Sequence, residues 1–483
     1  MRIRVVLHYL GLVIVVVGLT MLIPLGWSLF SKEPDTPAFA ISIAISLGFG
    51  LPLWRLIPVA EKGLSRREAI ALVAVSWVAA SLFGALPYVF SGALPNYLDA
   101  LFETVSGFSA TGASVIASVE EQYSSILLWR SFTQWLGGMG IIALFVALFP
   151  MLGIGAARLV EAETPGYLGE KLTSRVRDTA KALWLIYVGL SLIQFVLLLI
   201  FRAPVFDSLI ISLSTLPTGG FTAANISIEA YNSVPVEVIT IIFMVLGGTN
   251  FGLFYLLLWK HQAGRIFKNP EFRLYVILLT LATVILSVDL VINMGMSLAS
   301  ALRYGGFQAV SIMTTTGFSS ADFNTWSTFA KAILLLLMLI GPSAGSTGGA
   351  IKVVRLILLT KYIHRRIATA FNPTVSLPIK IGDAVLPEAM VSRLISLPIA
   401  YVALIIASTL ILIAIGMDGL SAFSAVTTCQ AGCGPGLGSV GPLSNYSLVP
   451  PLGKGVLIFC MLAGRFELFT LFAFFTPSFW KWR

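Results

Sequence analysis

Long apolar runs broken by short polar stretches dominate the chain. Ten of them, near 8–30, 37–60, 70–93, 126–152, 183–201, 235–259, 274–296, 326–363, 389–416 and 449–475, match the roughly 20 residues a helix needs to cross a bilayer. Four weakly apolar segments lie between them, at 99–110, 207–217, 300–314 and 418–431. At 1.5 Å per residue each reaches only about 20 Å, too short to cross. Each is therefore expected to dip in and return on the same side.

Every one of these segments ends on a glycine-bearing loop: Ala110-Thr111-Gly112, Thr218-Gly219-Gly220, Thr315-Thr316-Gly317 and Gly432-Cys433-Gly434. Aligning Gly112, Gly219, Gly317 and Gly434 gives spacings of 107, 98 and 117 residues. Non-helical backbone at membrane depth persists only where it is buried in protein or lines water. The four loops should thus face one another, and a ring of backbone carbonyls replaces the water shell of a small cation. The expected fold is an all-α membrane protein. A two-helix extension, 1–66, precedes four M1–pore-loop–M2 repeats, 67–157, 178–262, 271–366 and 387–483, in pseudo-fourfold arrangement.

The eighth run, 326–363, would be about 57 Å long as one helix. Its middle reads Gly341-Pro342-Ser343-Ala344-Gly345-Ser346-Thr347-Gly348-Gly349. Glycine is entropically costly in a helix and proline removes a hydrogen bond, so two half-helices with a polar link are expected. Small-residue helix packing is the plainer alternative. Gly345 to Lys352 lacks the Gly-Lys-Ser/Thr ending and the preceding strand of a phosphate loop.

Hydrophobic residues make up 57% of the 483 and charged residues 11%, which excludes an ordinary soluble domain. The Met1-Arg2-Ile3-Arg4 start is followed by an apolar run too long for a signal peptide, so a retained first helix is expected. The net charge of +9 gathers at Arg66-Arg67, Arg175 to Lys181, Lys260 to Arg273 and Lys352 to Arg366. With both termini cytoplasmic, these clusters fall on the inner side, the positive-inside pattern. The basic charge is then topological and suits anionic membrane lipids or an acidic partner rather than nucleic acid.

Asp99, Asp207 and Asp418 open three of the short segments, where a carboxylate caps a helix start. Their negative C-terminal ends would then point at the centre and favour a cation. Cys429, Cys433 and Cys460 carry no disulfide signature, and the three histidines, His8, His261 and His364, stand far from them. Arg465 lies mid-span, and such charges face a cavity or a partner.

Together with Gln134-Trp135-Leu136-Gly137-Gly138-Met139-Gly140, Gly434-Pro435-Gly436 and Phe475-Thr476-Pro477-Ser478, this ordered set resembles the Trk-type membrane subunits of the Trk/Ktr/HKT superfamily over essentially the whole chain. The resemblance implies potassium uptake across the bacterial inner membrane, with K+ as transported ion and no cofactor in this chain. It implies a homodimer and a cytosolic nucleotide-binding regulatory subunit of the TrkA type. It assigns the filter to the twelve loop residues above and the gate to Gly341 to Gly349 with Arg465. Glycine at position 112 implies preference for potassium over sodium. Relatives often carry paired asparagines where this chain has Ala431-Gly432-Cys433, so a looser fourth loop is expected. An alternating-access transporter coupled to protons or sodium is the alternative reading. A membrane enzyme is disfavoured, because no acid–base set has useful spacing.

Overall fold

The computed structural model describes residues 1–58, 64–140, 176–372, 377–382 and 384–465. Among the described residues helix dominates. β-Pairing there is limited to a two-residue antiparallel hairpin, Lys380–Ile381 with Ala384–Val385, in the polar connection before the last repeat, and an isolated parallel bridge between Ile340 and Ile351. Among the described residues six helices are long and apolar enough to cross a membrane, and a bent pair raises this to seven.

The leading pair, Ile3–Ser31 and Thr36–Leu56, packs backbone to backbone. A Cβ on Gly11 would lie 2.8 Å from the Gly50 carbonyl oxygen, so only small residues permit this approach. Glu33, in the turn between them, docks the pair on the first repeat. Its carboxylate accepts from the Ser124 and Ser125 amides, at 3.0 Å each, and so caps helix Ser124–Gly138.

Each repeat has a crossing helix, a short helix and a return. The short helices are Tyr97–Phe108, Val205–Thr215, Leu298–Met313 and Gly419–Ala431. In three repeats a glycine on the return helix packs on a carbonyl at the end of the preceding short helix: Gly137 on Phe108, Gly247 on Leu216 and Gly464 on Gln430. These contacts lock the angle at which each short helix enters.

Among the described residues two returns are interrupted. The run 326–363 divides into Thr328–Leu339 and Val353–Phe371. The run 235–259, expected to be one span, divides into Val234–Gly247 and Phe251–Lys260, bent by 91°. Gly247-Gly248-Thr249-Asn250 makes the corner, and the Asn250 side chain caps the second piece by accepting from Gly252 N at 2.8 Å. The later parts of the runs 126–152 and 449–475 lie outside the described residues.

The capping expectation holds for one aspartate of three. Asp418 accepts from Ser421 N at 3.1 Å. Asn96 caps the first short helix instead, and Asp99, one turn in, pairs with Lys454 at 2.6 Å. The second has Pro204 at its cap, with Asp207 inside the first turn. Ser297 caps the third.

Candidate functional site

All four short helices end in the same way. At or just past each cap one residue turns left-handed: Ala110 (φ 55°), Thr218 (57°), Thr315 (60°) and Gly432 (74°). The next amide reaches back to the carbonyl five residues earlier: Thr111 to Ser106 at 2.8 Å, Gly219 to Ser214 at 2.9 Å, Thr316 to Ser311 at 2.9 Å and Cys433 to Thr428 at 3.0 Å. This is the Schellman ending, which satisfies the last carbonyls of a helix. Two residues after each left-handed turn comes a second one: Gly112 (84°), Gly220 (80°), Gly317 (78°) and Gly434 (91°).

That register corrects the alignment. Gly220, not Gly219, matches the other three glycines, and Thr218 matches Ala110 rather than Thr111. The adjacent glycines hid the shift, since only backbone conformation distinguishes them.

The loops close on one another in chain order. A Cβ on Gly112 would overlap the Gly219 carbonyl oxygen, one on Gly220 the Thr316 oxygen, and one on Gly317 the Cys433 oxygen. One on Gly434 would lie 2.8 Å from the Thr111 oxygen. Each glycine is therefore where one loop's backbone rests on the next, and the four form a ring. Alternating signs of φ turn successive carbonyls toward one side. The four helix C-termini meet at this ring, each with a partial negative charge.

The ring separates two cavities. One, of about 180 Å³, touches Gly112, Gly220, Gly317 and Gly434. The other, of about 140 Å³, touches Ala110, Thr111 and Gly432, and its wall includes Gly345 to Ile351, Lys352, Arg355 and Arg465.

The link Gly341 to Gly349 lies against the ring. Gly349 N donates to Thr315 Oγ1 at 3.0 Å, and a Cβ on Gly349 would overlap the Ala431 oxygen. Thr347 Oγ1 donates to Leu216 O at 2.8 Å or to Gly247 O at 3.0 Å. Ser343 N donates to Gly248 O at 3.0 Å, and Gly345 O accepts from Phe251 N at 2.9 Å. Ala344 N donates to Glu271 at 2.6 Å, and Lys352 Nζ donates to Gly348 O. Gly341 N donates to Ile351 O at 2.9 Å, and the chain turns at Ala344-Gly345 between them. Ser346 Oγ closes the inner turn on Ser343 O at 2.6 Å.

Arg465 faces this link. Its guanidinium donates to Thr347 O at 2.9 Å, to Gly138 O at 2.7 Å and to Gly137 O. It thus joins the fourth repeat to the third and the first. Its neighbour Glu467 lies outside the described residues.

The fourth loop is not loosely held. Tyr446 Oη donates to Gly434 O at 2.8 Å and Thr428 Oγ1 to Pro435 O at 3.1 Å. Asn324 from the third repeat exchanges two bonds with Gly438, both at 2.9 Å. Asn324 is 114 residues from Gly438 and Tyr446 lies 12 residues past Gly434, so neither belongs to the loop's own motif. Gln134 was visible only as part of a motif; it donates to Gly219 O at 2.6 Å and accepts from Phe221 N at 3.2 Å. Among the described residues no group of His, Cys, Asp and Glu is arranged to hold a metal ion.

A family model for TrkH cation transport proteins matches residues 36–482. The chain is 36% identical to the Trk system potassium uptake protein TrkH of Salmonella typhimurium, with both chains fully covered. It is 30% identical to the Trk system potassium uptake protein TrkG of Escherichia coli K12, over 99% of each. The crystal structure of the potassium transporter TrkH from Vibrio parahaemolyticus superposes with a TM-score of 0.89 at 33% identity, with full coverage of both chains. A multi-pass helical protein with a ring of four glycine loops, matched by that model over nearly all its length, this chain belongs to the TrkH family of cation transport proteins.

Proposed function

We propose that the chain takes up potassium across the bacterial inner membrane through the ring of four loops. The observation that carries this reading is the closure of the loops, each glycine against the next loop's carbonyl. Backbone oxygens of Ala110, Thr111, Gly112, Thr218, Gly219, Gly220, Thr315, Thr316, Gly317, Gly432, Cys433 and Gly434 replace the hydration shell of K+. Several weak sites in series let the ion leave again. The helix ends add negative potential at the same place. The relatives named above are potassium uptake proteins, which supports the choice of ion.

The link Gly341 to Gly349 acts as the gate, held shut by Thr347 and Arg465. Both termini are cytoplasmic, in keeping with the basic clusters on that side. The protein works as a homodimer among membrane lipids. A cytosolic nucleotide-binding subunit of the TrkA type biases the link between two arrangements. Currents from the purified protein in planar bilayers test this function. Reversal near the potassium equilibrium potential is expected; a reversal that follows a proton or sodium gradient would establish coupled, alternating-access transport instead.

A further inference from the structure

The four loops are braced differently. In the third and fourth, a hydroxyl on the short helix ties down the carbonyl just beyond the glycine: Ser311 Oγ to Phe318 O at 2.7 Å and Thr428 Oγ1 to Pro435 O at 3.1 Å. The equivalent hydroxyls of the first two loops, on Ser106 and Ser214, are buried without a partner. Those loops therefore lack the strut that holds the others.

A buried ion pair stands in its place. Glu103 is fully buried and Arg130 is 4% exposed, with Nε 2.5 Å from Glu103 Oε1. Glu103 grips the first loop, accepting from Val115 N at 2.9 Å and from Ser114 Oγ at 3.0 Å. Arg130 grips the second, donating from Nη1 to Thr222 O at 3.1 Å and stacking 3.5 Å over the Phe221 ring. The residues matching Glu103 on the other short helices are Ile211, Gln308 and Ala425, so the charge belongs to the first repeat alone. Removing one partner of such a pair leaves a buried charge uncompensated, which makes the geometry sensitive to either residue.

We propose that Glu103 and Arg130 are positioning residues that set the separation of the first and second glycine loops and thereby the discrimination of potassium from sodium. This rests on the filter reading above. Neither side chain needs to touch the ion. Arg130 holds two groups of the second loop while bonded to Glu103, a task that suits a planar guanidinium and not an ammonium.

The test is the reversal potential under K+/Na+ bi-ionic conditions in planar bilayers, on the full-length protein and its Glu103→Gln, Arg130→Lys and Ser106→Ala variants. The parent is expected to favour potassium. Glu103→Gln should lower the permeability ratio about tenfold, a difference of about 1.4 kcal/mol. Arg130→Lys keeps the charge but loses the Thr222 bond, and should lower the ratio severalfold with total current largely retained. Ser106→Ala removes an unpartnered hydroxyl and should leave the ratio unchanged. If Glu103→Gln does not fold, Arg130→Lys decides. An unchanged ratio in Arg130→Lys overturns the proposal, as does loss of folded protein in both variants, which would make the pair a general stabiliser. A parent without ion preference would instead overturn the filter reading itself.

Discussion

Arg465 Nη1 donates to the Thr347 carbonyl oxygen at 2.9 Å, joining the last described helix to the middle of the link in the third repeat. The same guanidinium holds the Gly137 and Gly138 carbonyls at the end of helix Ser124–Gly138. Hydrogen bonds from a charged donor contribute about 1.5–3 kcal/mol each. Arg465→Gln should therefore free the link, and a shift of about 1.4 kcal/mol already raises an open population about tenfold. Rubidium flux into vesicles holding the variant alone should exceed the parent's; equal flux would remove Arg465 from the gate.

The link itself should behave in the same direction. Thr347→Val removes the hydroxyl whose one proton goes to Leu216 O or Gly247 O, a loss of about 1 kcal/mol. Deleting Gly345 to Gly348 should remove the proposed occlusion altogether. Leak currents should rank deletion above Thr347→Val above parent. A folded deletion variant as closed as the parent would count against this segment as the barrier.

Gly112→Ser should raise sodium permeation relative to potassium. Position 112 has φ 84°, which side chains rarely adopt, and a Cβ there overlaps the Gly219 oxygen. The second loop must shift, and its carbonyl spacing with it. Bi-ionic reversal potentials before and after the substitution measure the effect; identical values would contradict it.

Glu33 gives a stability prediction with a pH signature. Burial raises its pKa, but the hydroxyls and amides of Ser124 and Ser125 outweigh this and hold the carboxyl below its ordinary value. A carboxyl lowered on folding stabilises the fold above its unfolded pKa, and that contribution disappears as pH falls through the folded value. Glu33→Gln should cost about 1 kcal/mol at neutral pH, like loss of a helix cap. Thermal unfolding in detergent should show parent and variant converging below about pH 4. A constant gap across that range would refute the assignment.

The repeat pattern was legible because membrane depth imposes it: segments too short to cross stand out against runs that do. The break at Gly341 to Gly349 was legible through excess length and proline. The corner at Gly248 to Asn250 was not, because its run has the length of an ordinary span and its Gly247-Gly248 pair reads equally as small-residue helix packing. The register of the second loop was lost in the pair Gly219-Gly220, where composition is silent about which glycine turns left-handed. Asn324 and Arg130 act between repeats, while Tyr446 reaches back within the fourth from beyond the loop, and contacts across the ring leave no local period to read.

A ring folded from a single chain has one junction that the polypeptide does not cross in sequence, between the last repeat and the first. Here that seam is stitched from several depths: Lys454 to Asp99 at 2.6 Å, Tyr446 N to Ser114 O at 2.7 Å, and Arg465 to the Gly137 and Gly138 carbonyls. At this junction a Cβ added to Gly434 would meet the Thr111 oxygen at 2.8 Å, a milder clash than at the other three glycines. Concatenation thus makes one sector the clasp of the ring, and Arg465, the side chain proposed to hold the link shut, sits on that clasp, so its substitution would loosen the link and the seam together.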